Sequence, residues 1–168
     1  TGIGVYHVML VVPGRTVVAG ESIAESSRRP YRSDVDSRRQ LAAARERAAA
    51  AGKLVMVTFG ANWCPDCLVL HKSLQESPTR EYAQDNFEFV NVDIGWLDKN
   101  LDLALELGVT PDQGIPVAVF LEPGREAVGN TNRGELEASR KYSSKLILAF
   151  LREVVERRRV VFPQDAAL

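Results

Sequence analysis

Residues 54–76, LVMVTFGANWCPDCLVLHKSLQE, constrain this chain more than any other stretch. Leu54 to Phe59 is a short, valine-rich apolar run bounded by Gly60, the pattern of a buried strand. Cys64, Pro65, Asp66 and Cys67 follow at once, and apolar residues then recur at Leu68, Val69, Leu70 and Leu74. Proline is favoured in a first helical turn, so this recurrence predicts an amphipathic helix that starts around Pro65 and ends near Pro78. The two thiols are therefore expected at a strand-to-helix junction. Their i, i+3 spacing there can bring the Cα atoms within disulfide reach, about 4.4–6.8 Å.

That placement has chemical consequences. Cys64 is expected just before or at the helix N-terminus, where unpaired N–H groups and the positive dipole end favour a thiolate. Cys64 is then the attacking nucleophile, and Cys67, one turn in, is the resolving thiol that breaks a mixed disulfide. The carboxylate of Asp66 competes for the same positive end. Cys64 is therefore expected to be moderately acidified, which suits a reductant better than a strong oxidant.

The segment FGANWCPDC, Phe59 to Cys67, resembles the active-site segment of thioredoxin-family proteins, in which a tryptophan precedes the CxxC. Gly114, Ile115 and Pro116 downstream strengthen the likeness. It covers roughly residues 37 to 156. The resemblance implies an α/β thioredoxin fold, a central mixed β-sheet flanked by helices, with an N-terminal extension. The domains expected are an extension and linker over 1–35, a thioredoxin-like domain over 36–162 and a tail over 163–168. It further implies that Trp63, Pro65 and Asp66 shape the site. Ile115 and Pro116 would bind substrate, with a cis proline facing the CxxC and the Ile115 backbone pairing with the incoming chain like an added strand. Proline at the start of a strand also has a purely structural reading.

Two positions depart from the family pattern. Thr58 stands where thioredoxins usually carry a buried acid for proton transfer, and Leu68 stands where a lysine is usual. Asp93 is the one alternative acid the sequence offers. These changes point to a narrower partner range than that of a general thioredoxin.

Composition excludes several other classes. A net charge of −1 over 168 residues gives no electrostatic case for nucleic acid or an anionic membrane. No apolar run approaches the roughly 18 residues needed to span a bilayer. Both cysteines lie in the CxxC, and a structural zinc site would need further ligands, for which only His7 and His71 remain. His71 reads as a half-exposed surface histidine on the CxxC helix. No metal or separate cofactor is expected, the redox group being the Cys64–Cys67 disulfide itself.

Along the rest of the chain, residues 1–19 read as a hairpin or extended strand about Pro13 and Gly14, with a signal-sequence remnant as the rival reading. Glu21 to Ser33 reads as a polar linker. Asp34 or Asp36 is expected to cap a helix over Ser37 to Ala51, ended by Gly52. A short helix over Thr79 to Asn86 and a strand over Phe87 to Asp93 should follow. Asp98 is expected to cap a helix through Leu107, with Leu101, Leu105 and Ala104 facing inward and Gly108 as the stop. Pro116 to Leu121 reads as a strand, 122–125 as a turn and 126–128 as the start of the last strand. Gly129 to Arg140 reads as a loop. Ser143 or Ser144 should cap a final helix with Leu146, Ile147, Phe150, Leu151, Val154 and Val155 as its core stripe.

The function expected is thiol–disulfide exchange, as a reductase of protein disulfides fed by an upstream thiol electron donor, acting as a monomer. The alternatives are an envelope thiol oxidase or isomerase, or a thioredoxin-like binding module without turnover. Residues 91–104 are similar to a group of commonly exported bacterial thioredoxin-like proteins, and the chain starts without Met, so a periplasmic location is expected over a cytoplasmic one.

Overall fold

The computed structural model describes residues 28–124 and 127–161, with side chains as far as residue 158. The expectations for residues 1–19 and for the tail 163–168 lie outside these residues. Asp36, in extended conformation, accepts hydrogen bonds from the N–H groups of Arg38 and Arg39 and so starts α1 (Ser37–Ala51). Gly52 ends it in the left-handed region at φ +66°, returning its N–H to the Ala48 and Ala49 carbonyls. Leu41, Ala44 and Ala48 are the inward residues, and the two alanines let the helix lie close on the sheet.

The sheet order is β2-β1-β3-β4. Strand β1 (Leu54–Gly60) runs parallel to β2 (Phe87–Asp93) on one side and antiparallel to β3 (Val117–Leu121) on the other. Strand β4 (Ala127–Asn130) closes the far edge antiparallel to β3. Every residue of β1 is buried, because helices cover both faces of this central strand. Val55, Val57 and Phe59 face α1 and α4 (Leu101–Glu106), while Leu54 and Met56 face α2 (Pro65–Ser73), α3 (Thr79–Asn86) and α5 (Ser144–Val161). The mixed sheet with helices on both faces is the architecture expected.

Four local expectations need correction. Helix α2 stops at Ser73 instead of near Pro78, and Gln75 and Glu76 turn back onto the Lys72 and Ser73 carbonyls. Helix α4 starts at Leu101, after Asn100 in a left-handed conformation, and Asp98 does not cap it. Its carboxylate accepts instead from the Trp96 N–H, 2.8 Å away, closing the preceding turn. Leu103 and Ala104 face inward, whereas Leu101 and Leu105 are 38% and 74% exposed. In α5 the core stripe is Ile147, Leu148, Leu151, Val154 and Val155 with Phe150 half-buried; Leu146, on the flank of that stripe, is 58% exposed. Its N–H serves the cap, bonding the Ser143 hydroxyl at 3.4 Å. Among the described residues no helix is long and apolar enough to cross a membrane.

Candidate active site

Strand β1 delivers the chain to the CxxC at the sheet's carboxyl end. Cys64 is the N-cap of α2, in extended conformation, and its Sγ accepts the Cys67 N–H at 3.2 Å. Pro65 occupies the first helical turn, where its missing N–H costs nothing. The two cysteines form a disulfide with their Cα atoms 5.3 Å apart. Both are buried, Cys67 completely.

The second wall of the site comes from β3. The Ile115–Pro116 peptide bond is cis, as is Ser77–Pro78. The Ile115 carbonyl oxygen lies 3.7 Å from Cys64 Sγ, and the half-buried Ile115 side chain packs against the cluster of Tyr31, Cys64 and Cys67. Gly114 leads into this turn at φ +155°, a conformation that side chains rarely adopt, and any Cβ there would meet the Glu137 carboxyl group. Phe59 pairs with Val117 in the β1–β3 ladder, so the two loops that bear the site leave adjacent strands at the same end.

Trp63 stands 44% exposed beside the disulfide, and its indole N–H donates to the Gly95 carbonyl at 2.7 Å. It stacks on Trp96, with ring centroids 4.8 Å apart and planes within 3° of parallel. An open groove of about 670 Å3 runs alongside, lined among others by Tyr31, Asn62, Trp63, Asp93, Trp96 and Lys99. Asp93 turns its carboxylate to the Gly95 N–H at 3.1 Å, with the Lys99 ammonium 3.9 Å away. Thr58 is buried in mid-strand, a neutral hydroxyl where the family usually has its acid. His71, one helical turn past Cys67, is half-buried, and desolvation holds its imidazole below the ordinary value of 6.5.

Asp66 does not point freely at the helix terminus. Its carboxylate accepts the Arg140 backbone N–H at 2.8 Å and the Arg140 guanidinium Nε at 3.0 Å. A cation thus offsets the charge that competes with the Cys64 thiolate. Arg140→Ala should slow alkylation of the reduced protein at Cys64, and Asp66→Asn should speed it, each by about two- to fivefold, the effect of one charge of about 0.3–1 kcal/mol at a helix end. Iodoacetamide kinetics at low ionic strength check this, and added salt should shrink both differences.

Three residues at this site are given no role by the sequence: Tyr31, Asn62 and Trp96, of which Asn62 lies inside the FGANWCPDC segment. Tyr31 falls in the stretch read as a polar linker, yet it is 2% exposed and forms one buried cluster with the two cysteines. The one signal was an aromatic residue after Pro30 in an otherwise polar run.

The family model described as thioredoxin-like matches residues 36–123. A disulphide isomerase from Xylella fastidiosa Temecula1 superposes with a TM-score of 0.72 at 32% identity, over 75% of this chain and 96% of that one. A thioredoxin from Thermus thermophilus reaches a TM-score of 0.47 at 25% identity, over 72% of this chain and 83% of that one. The fold and its CxxC pair support thiol–disulfide oxidoreductase chemistry in general terms. With the strand order, the disulfide at the β1–α2 junction and a profile match over more than half of its length all agreeing, the chain belongs to the thioredoxin-like family.

Proposed function

We propose that the chain is a reductase of protein disulfides, with Cys64 as nucleophile and Cys67 as resolving thiol. The observation that carries this reading is the position of Cys64 Sγ, at the N-terminus of α2 and 3.7 Å from the Ile115 carbonyl. In the reduced protein the Cys64 thiolate attacks one sulfur of a substrate disulfide. A mixed disulfide forms and the first substrate thiolate leaves. Cys67, as its thiolate, then attacks Cys64 Sγ, which releases the second substrate thiolate and closes the Cys64–Cys67 disulfide. Two electrons pass to the substrate, whose two thiolates take up the protons the cysteines lose. An upstream dithiol donor reverses the sequence and restores the pair.

Trp63, Pro65 and Asp66 shape the entrance, and the Ile115 backbone before Pro116 receives an extended substrate segment in the manner of an added strand. The reading includes a monomer that works outside the cytoplasm, on the likeness of residues 91–104 to exported proteins. Isomerisation is the second reading, favoured by the Xylella fastidiosa disulphide isomerase at 32% identity.

Equilibration with dithiothreitol and with glutathione tests the direction. A reductase should give a potential near −270 mV, the thioredoxin end of the scale. A value near −180 mV would favour isomerisation, and one near −120 mV would make the protein an oxidant and overturn the reductase reading.

A further inference from the structure

Tyr31 is fastened to the active-site turn by its main chain. Its N–H donates to Asn62 Oδ1 at 3.2 Å, and Asn62 Nδ2 donates back to the Tyr31 carbonyl at 2.6 Å. Asn62 lies two residues before Cys64, so the segment ahead of α1 is stitched directly to the turn that carries the nucleophile. The ring then covers the end of β1 at Gly60. A Cβ on Gly60 would stand 2.7–2.8 Å from Cζ, Cε1 and Oη of Tyr31, a distance that real Cβ contacts do not reach. Glycine at position 60 is what admits the ring. By strand alternation Gly60 shares a face with Thr58 and Met56. The ring that covers it belongs to one buried cluster with Cys64 and Cys67.

We propose that the Tyr31 ring is the inner wall of the redox pair, a positioning residue that keeps water from the two sulfurs and thereby biases the couple toward its disulfide. This rests on the reading of Cys64 and Cys67 as a redox couple. Solvation sets the direction of the bias. The reduced pair presents polar thiols and, at Cys64, a thiolate, whereas the disulfide is neutral and apolar. An apolar wall withholds solvation from the reduced form, and destabilising the reduced form makes the couple more reducing. Tyr31 brings no charge of its own, because burial pushes its phenol well above the ordinary range and keeps it protonated. The family's usual acid is absent at Thr58, so the wall on this face is aromatic and uncharged.

The test compares the dithiothreitol equilibrium of wild type with those of Tyr31→Ala, Tyr31→Phe, Gly60→Ala and Asn62→Ala. Charged groups that share the groove with Tyr31, among them Asp34, Asp93 and Lys99, are untouched in all four. Tyr31→Ala should shift the equilibrium at least tenfold toward the dithiol, about 30 mV more oxidising. Tyr31→Phe keeps the ring and should stay within twofold of wild type. Gly60→Ala drives a methyl group into the ring and Asn62→Ala unhooks its backbone, so both should shift in the same direction as Tyr31→Ala. They decide the matter if Tyr31→Ala fails to fold by circular dichroism. Folded variants that all stay within twofold of wild type would overturn the proposal. So would a Tyr31→Phe shift as large as that of Tyr31→Ala, which would assign the effect to the hydroxyl. A wild-type pair that does not equilibrate at all overturns the redox reading and this proposal with it, whereas a cycling pair indifferent to these substitutions overturns this proposal alone.

Discussion

Cys64→Ser is expected to lower disulfide reduction by at least ~10³-fold, since an alcohol at neutral pH supplies almost none of the anionic nucleophile that a thiol does. Cys67→Ser should behave differently. Its Cys64 can still attack, but nothing resolves the product, so a mixed disulfide with the substrate should accumulate and run as a dithiothreitol-sensitive band on a non-reducing gel. Turnover would be lost in both variants, and only Cys67→Ser would leave a covalent record. The asymmetry follows from placement. Cys64 is the N-cap at the mouth of the site, whereas Cys67 is fully buried one turn into α2. Trapping at Cys67 in a Cys64→Ser protein, with none in Cys67→Ser, would reverse the assigned roles. No trapping in either would favour a binding module without turnover.

Phe120→Ala should be the most damaging single change to stability in the sheet. Phe120 is 1% exposed near the end of β3, edge-on to Phe87 at 5.9 Å between centroids and tilted against Phe150 at 5.8 Å. Truncation leaves a cavity bounded by β2, β3 and α5, and the ladders that hold β2 and β3 to either side of β1 keep those strands from simply collapsing inward. The expected loss is about 3–5 kcal/mol, a large share of the 5–15 kcal/mol typical of a domain. Urea unfolding followed by fluorescence should show the midpoint falling with the slope unchanged. A loss below about 1 kcal/mol would mean that α5 repacks over the gap.

What the sequence disclosed and what it withheld divide along physical lines. The first helix, the central strand, the start of α2 and the second strand are written in local chemistry: Asp36 and Gly52 as caps, a valine run, and Pro65 after Cys64. Helix α4 was harder because its leucines stand at 101, 103, 105 and 107, a period of two laid on a period of 3.6. Such spacing does not say which pair faces inward. The answer came from the turn before it, where the Ile94 carbonyl accepts both the Asp98 and Lys99 N–H groups and Asn100 Nδ2 donates to the Asp93 carbonyl at 2.7 Å. Those contacts set the helix phase, and Leu103 and Ala104 turn in. Leu146 failed for a related reason, since a stripe drawn one residue too wide at a helix start includes the flank. At the site, the thiol pair was legible as a motif. Tyr31 and Trp96 were not, because each reaches its partner across about thirty residues of intervening chain, through an Asn62 amide in one case and ring stacking in the other.

The bond between Asp66 and Arg140 has a bearing on how such a protein can diversify. Residues 131–138 connect β4 to a short 3-10 turn (Ser139–Lys141) and belong to no strand or α-helix; Thr131 bonds Ala118 of β3 and Leu136 is buried, while Arg133 and Glu135 between them are tied only to each other. The 3-10 turn that follows is moored to the middle of the CxxC by two hydrogen bonds from Arg140 to Asp66. An insertion or deletion there would move the guanidinium relative to the carboxylate and so alter the charge felt at the mouth of α2. Reactivity at Cys64 can then be retuned from a residue 74 positions beyond Asp66 in sequence, with the four residues of the motif left as they are.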